Sequence, residues 1–125
     1  SVAAARERAQ VSGVDGLAIG RGAMENPWLF GEIAAAFAGR PVPASTVDGR
    51  IAALRRYREL LDEQYPEKVT SARLRGMACR TLKGFPGSAA LRESVSRTRS
   101  SDELLSIVAA FEAPALGQES PRTAA

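Results

Sequence analysis

Two groups of residues in this 125-residue chain could carry chemistry, a glycine-arginine turn near the N-terminus and a run of basic residues in the middle. Gly20, Arg21 and Gly22 directly follow the short apolar run Leu17, Ala18 and Ile19. Glycine on either side of an arginine removes the Cβ that would hold the backbone away from an anion. N–H groups at the start of the following helix could then meet phosphate oxygens, and the Arg21 guanidinium could add a charge-assisted contact. The same tripeptide also suits an ordinary strand-to-helix turn, so spacing alone leaves both readings open.

The second group comprises Arg50, Arg55, Arg56, Arg58, Lys68, Arg73, Arg75, Arg80, Lys83, Arg92, Arg97 and Arg99, set against few acids in the same stretch. Such a surface either meets a polyanion or consists of solvated charges on helices. Arg73 and Arg80 are seven apart and share a helical stripe, whereas Arg75 lies nearly opposite Arg73 at about 100° per residue. The three therefore cannot line one phosphate track. The formal net charge of only +3 does not itself specify nucleic acid.

Other chemistries are excluded within this sequence. It has no histidine and a single cysteine, Cys79, so a Cys/His zinc site, an internal disulfide and histidine acid/base catalysis all lack their residues. Cys79 is expected to be packed on its helix, as free cysteines usually are. No apolar run approaches the roughly 20 residues of a membrane span, and the first ten residues lack the apolar centre of a signal peptide. A soluble, cytoplasmic protein without membrane or metal is expected.

The elements that must hold these residues follow from local pattern. Residues 1–10 are rich in helix formers but begin without a convincing cap. Residues 14–20 suit a short strand buried on both faces. Asn26 as cap and Pro27 at the first helical position open another helix that Gly39 ends, with Leu29, Ile33, Ala36 and Phe37 as its inward stripe. Residues 41–46, with two prolines and no periodicity, read as a linker. Four helices are expected beyond it, at about 47–65, 68–83, 88–97 and 101–112. Ile51, Leu54, Tyr57 and Leu61 form the stripe of the first, and Leu104, Val108 and Phe111 that of the last, which Ser101 and Asp102 open. Trp28 is expected in packing rather than in base stacking, and Gly84, Pro86 and Gly87 as a turn that redirects the chain. Residues 113–125 carry no apolar pattern and are expected to be a disordered tail.

Two stretches add a resemblance. SGVDGLAIGRGAMENPWLFGEI at 12–33, and LKGFPGSAAL at 82–91 followed by SDELL at 101–105, together resemble the closing part of the tRNA-dihydrouridine synthases. In that family a Gly-Ala/Val-Asp-Gly, Gly-Arg, Pro-Trp-Leu/Ile-Phe pattern ends the barrel, and a helical domain follows. The resemblance covers residues 1–112 and implies FMN-dependent reduction of tRNA uridines to dihydrouridine with NADPH, by a monomeric enzyme. The implied fold is an α/β fragment, the closing strand and helices of a TIM barrel, followed by an all-α helical bundle, so that the chain is mostly helical. A whole (β/α) barrel needs about 250 residues, which limits this chain to a piece of one. Implied domains are residues 1–40 as the end of the FMN-binding barrel, 41–46 as linker and 47–112 as the tRNA-binding domain.

By family position the last FMN-phosphate contact falls on Gly20 and Arg21. The family's catalytic cysteine, and the lysine and Asn-Gly-Asp turn that also hold FMN, lie upstream and are not in this sequence, so no catalytic residue is assigned and the chain alone is expected to be inactive. Arg75 is the leading tRNA contact by position, with Arg73, Arg80 and Lys83 behind it. Many members carry Arg-Lys-His where this chain reads Arg75, Gly76 and Met77, so only the arginine is retained. Two other readings compete. One is the tail of another FMN barrel oxidoreductase, such as a dihydroorotate dehydrogenase or old yellow enzyme relative; the other is a stand-alone basic helical nucleic-acid-binding module.

Overall fold

The computed structural model describes residues 1–42 and 44–111. The tail expected at 113–125 lies outside the described residues. Among those described, the secondary structure is helical throughout: α1 (Val2–Ser12), α2 (Arg21–Glu25), α3 (Leu29–Phe37), α4 (Val47–Asp62), α5 (Glu67–Thr81), α6 (Ser88–Ser96) and α7 (Ser101–Ala110). The chain divides into two compact units, Ser1–Arg50 and Ile51–Ala125, and the division falls within α4.

In the first unit α1 packs on α3, and α2 on α3. Contrary to the expectation of an uncapped start, the Ser1 hydroxyl oxygen accepts the N–H of Ala4 at 3.3 Å, and Gly13 ends α1 in the left-handed region at φ 60°. The strand expected at 14–20 is not formed: the segment runs without helix or ladder. A parallel strand exists only through neighbours that take up its N–H and C=O groups, and no such neighbour is found among the described residues.

The N-cap of α3 is Trp28, without a side-chain cap bond, and not the expected Asn26, which shapes the turn ahead of the helix instead. The Asn26 Oδ1 accepts the Trp28 N–H at 3.1 Å and its Nδ2 donates to Glu32 Oε2 at 2.9 Å, so Pro27 and Trp28 form a turn and α3 begins at Leu29. Gly39 ends α3 as expected. At φ 65° it lets the Arg40 N–H reach back to the Ala35 carbonyl at 2.9 Å and its own N–H to Ala36 at 3.3 Å, the double bond of a Schellman motif. The small core is Ala5, Leu29, Ala35 and Ala36, and Arg6 Nη2 fastens α1 to α3 by donating to the Ala36 carbonyl at 2.6 Å. Phe37, expected on the inward stripe, is 53% exposed and Phe30 55%.

In the second unit α5 packs against both α6 and α7, which also pack on each other. Leu74, Ala78, Leu82, Leu91, Val95, Leu104 and Val108 are fully or nearly fully buried, and α4 adds Ile51, Leu54 and Leu61 on the expected stripe, with Tyr57 half-buried. α4 stops at Asp62 rather than 65. A residue that precedes proline avoids the helical region, so before Pro66 the N–H groups of Gln64 and Tyr65 both turn back to the Leu61 carbonyl, at 3.0 and 2.8 Å.

The cap of α7 is Ser100 and not Ser101. Ser100 Oγ accepts the Glu103 N–H at 3.1 Å, while Glu103 Oε2 accepts the Arg99 N–H at 2.8 Å, a variant of the capping box. Ser101 is buried and bonds instead to α5: its N–H donates to Glu67 Oε1 at 2.7 Å and its hydroxyl to Glu67 Oε2 at 2.8 Å. These bonds, first the backbone one and then the hydroxyl, hold the Glu67 carboxyl below its ordinary pKa. Nearby, Arg58 Nη2 lies 2.9 Å from Asp102 and Nε lies 2.7 Å from Asp62. The Nε–H is not aligned on an acceptor, so the Asp62 contact is an ion pair rather than a hydrogen bond.

A carboxyl whose pKa is lowered by folding stabilises the folded state above its unfolded pKa, and the contribution is lost as pH falls through the lowered folded value. Replacing Glu67 with alanine should therefore cost about 1 kcal/mol at pH 7, less than the roughly 1.5–3 kcal/mol of a fully formed charged hydrogen bond, because Glu67 is exposed to water. The difference from the unmodified chain should shrink as the pH drops below the usual carboxylate range. Urea unfolding at pH 7 and at pH 3 checks this; an equal difference at both would show that the charge contributes nothing.

Candidate functional site

Gly20 is exposed and forms the N-cap of α2 with φ −94° and ψ −118°, and Arg21 is the exposed first residue of that helix. A Cβ built on Gly20 would meet no atom within 4 Å. The N–H groups of a first helical turn have no partner inside the helix, so the start of α2 presents donors beside open space and an exposed guanidinium. This suits one side of a phosphate.

Gly22 plays a different part from the one its spacing suggests. A Cβ there would lie 3.3 Å from Leu29 Cδ2, so the missing side chain is filled by the buried leucine and serves the contact of α2 with α3. Trp28 is half-buried at the entry to α3. Its Cζ2 would be 3.9 Å from a Cβ on Gly49, which places the indole against backbone.

In the second unit the four basic candidates do not gather at one point. Arg73 and Arg80 are exposed on α5, and Lys83 is exposed just beyond its end. The Arg73 guanidinium carbon lies over the Tyr65 ring, 4.3 Å from its centroid. Arg80 folds back along the helix, its Nη2 within 3.7 Å of where a Cβ on Gly76 would be. Arg73, Gly76 and Arg80 follow one another at spacings of three and four and share a face. Arg75 points elsewhere: it is half-buried, and its Nη1 donates to the Thr98 carbonyl at 2.6 Å. Thr98 is itself buried, with its hydroxyl bonded to the Val95 carbonyl at 2.8 Å. Arg75 thus ties α5 to the turn between α6 and α7, while the open cationic face belongs to Arg73 and Arg80.

Tyr65 escaped the sequence reading. It stands eight positions before Arg73, across Pro66, and only the sharpness of that turn brings its ring under the guanidinium. Cys79, expected to be packed, is half-buried. Among the described residues no group of three or more His, Cys, Asp or Glu side chains could hold a metal ion, and no helix is long and apolar enough to cross a membrane.

The sequence profile described as dihydrouridine synthase matches residues 1–115, a span that contains the Gly20–Arg21 turn and all four basic candidates. A probable tRNA-dihydrouridine synthase of Mycobacterium leprae (strain TN) is 40% identical over 95 residues, covering 75% of this chain and 25% of that protein. Its counterpart in Mycobacterium tuberculosis (strain H37Rv) is 38% identical over 94 residues, 74% of this chain and 24% of the relative. The chain therefore spans about a quarter of the length of these relatives. No solved structure matches it.

Proposed function

The chain belongs to the dihydrouridine synthase family, and we propose that it is the C-terminal part of an FMN-dependent tRNA-dihydrouridine synthase that uses NADPH to reduce uridine to 5,6-dihydrouridine. The observation that carries this reading is the family match across both units, with the Gly-Arg turn in the first and an exposed cationic helix face in the second. The family match favours this reading over another flavin oxidoreductase and over a stand-alone nucleic-acid-binding module.

In this reading residues 1–40 close the barrel, 41–46 connect, and 47–112 grip tRNA. Gly20 and Arg21 hold one side of the FMN phosphate, Gly20 by admitting it close to backbone N–H groups and Arg21 by its charge. FMN when bound supplies the hydride chemistry, and the protein's task is to position it against the base. On the second unit Arg73, Arg80 and Lys83 offer positive charge to the tRNA, and Arg75 holds the helices that carry them. The complete enzyme acts as a monomer in the cytoplasm.

Purified by itself, the 125-residue chain should be colourless, because one side of a phosphate site cannot retain a flavin. A stoichiometric yellow complex would overturn the fragment reading. The same preparation should bind tRNA weakly, with affinity falling roughly tenfold or more between about 50 and 200 mM salt as counterions are released. Affinity indifferent to salt would remove the role given to the cationic face.

A further inference from the structure

The arginines of the second unit differ in what balances them. Arg56 pairs with Glu59, Arg58 with Asp62 and Asp102, and Arg97 with Glu93. Among the described residues no carboxylate lies within ion-pair distance of Arg73; its guanidinium rests on the Tyr65 ring. A cation held over an aromatic face is attracted by the ring quadrupole but keeps its charge, and Arg73 remains exposed.

The backbone that carries the ring is held. The Tyr65 N–H bonds to the Leu61 carbonyl at 2.8 Å, its own carbonyl accepts the Thr70 hydroxyl at 3.4 Å, and Pro66 restricts the backbone on the other side. A planar guanidinium on an aromatic ring, with no carboxylate partner among the described residues, is a surface for a flat π-system, and unpaired RNA bases are recognised by stacking on aromatic rings and arginine planes.

We propose that Tyr65 and Arg73 form a stacking platform for one unpaired base of the bound tRNA, whereas Arg80 and Lys83, farther along, meet backbone phosphates. The inference rests on the tRNA reading above. It assigns Arg73 a contact that depends on guanidinium shape as well as on charge.

Arg73→Lys separates the two, since lysine keeps the charge but has no plane. Fluorescence anisotropy on the full 125-residue chain would compare a labelled tRNA-derived stem-loop with a blunt RNA duplex of equal length. The variant should bind the stem-loop roughly tenfold more weakly and the duplex almost as before, in line with the worth of one stacked base. Tyr65→Leu should repeat that pattern, and Tyr65→Phe should bind as the unmodified chain does. Undiminished binding of the stem-loop by Arg73→Lys, or an equal loss on both RNAs, would overturn the platform and leave Arg73 a point charge. Failure of the unmodified chain to bind either RNA would instead strike the tRNA reading itself, and the platform with it.

Discussion

Replacing Gly87 with alanine is expected to destabilise the second unit by about 3 kcal/mol, from two additive causes. Gly87 sits at φ 79° as the N-cap of α6, in the left-handed region that costs a residue with a Cβ roughly 1–2 kcal/mol. The new Cβ would also stand 3.1 Å from Phe111 Cζ and 3.2 Å from its Cε2. That ring packs on Phe85 with centroids 5.7 Å apart and planes tilted by 56°, so making room means shifting it against that neighbour. Forcing it aside adds roughly 1–3 kcal/mol of overpacking. A unit of about 60 ordered residues commonly has about 3–9 kcal/mol of stability in all, so the loss should be plain in urea unfolding followed by helical circular dichroism. Gly84→Ala supplies the control: at φ 80° it carries the same conformational cost, but a Cβ there meets nothing within 4 Å. If Gly87→Ala proved no more costly than Gly84→Ala, the contact with Phe111 would not matter. Combining Gly87→Ala with Phe111→Ala should recover part of the loss, since the two share one space.

That pair of glycines also shows where sequence reasoning succeeds and where it stops. A Gly-Phe-Pro-Gly stretch announces a turn, because two of its residues tolerate positive φ and one cannot continue a helix. Nothing in it announces that Phe111, two helices later, fills the space above the second glycine. The four helices of the second unit were legible because Ile51, Leu54, Leu61, Leu104 and Val108 recur at helical spacing and are buried. Some of their ends moved by one to three residues, as where the chain turns back to the Leu61 carbonyl ahead of Pro66, and the cap of α7 is Ser100 although the helix begins at Ser101 as expected. The strand expected at 14–20 depends on neighbouring strands that are not found among the described residues. Within the candidate site, the open side of Gly20 was inferable from its residue type, but the closeness of Gly22 to Leu29 was not, because that partner comes from the next helix. Arg75 was ranked ahead of Arg73 by family position. Its bond to Thr98, 23 residues away, and the seating of Arg73 on Tyr65 are tertiary facts that no helical spacing encodes.

The openness of Gly20 makes it the sharpest test of the flavin assignment in the complete enzyme. Ordinarily a glycine substitution that costs cofactor also costs fold, and the two cannot be separated. In this chain a Cβ on Gly20 meets no described protein atom within 4 Å, and the melting temperature of the flavin-free Gly20→Val protein separates a loss of cofactor from a loss of fold. If a phosphate lies against that backbone, two added methyl groups and their Cβ must displace it, at a cost of roughly 1–3 kcal/mol. FMN affinity should then fall by about tenfold or more, since about 1.4 kcal/mol corresponds to a factor of ten. Flavin absorbance retained after dialysis would measure it. Affinity for tRNA should stay within about twofold, because the proposed RNA contacts all lie in the other unit. Arg21→Ala should also weaken FMN, through loss of a charged hydrogen bond worth about 1.5–3 kcal/mol if it is fully formed, but excess salt should narrow that deficit and not the steric one, because screening acts on charge and not on volume. Full flavin retention by Gly20→Val would place the phosphate elsewhere, and a matching fall in tRNA affinity would mean that the turn serves the whole fold rather than the cofactor.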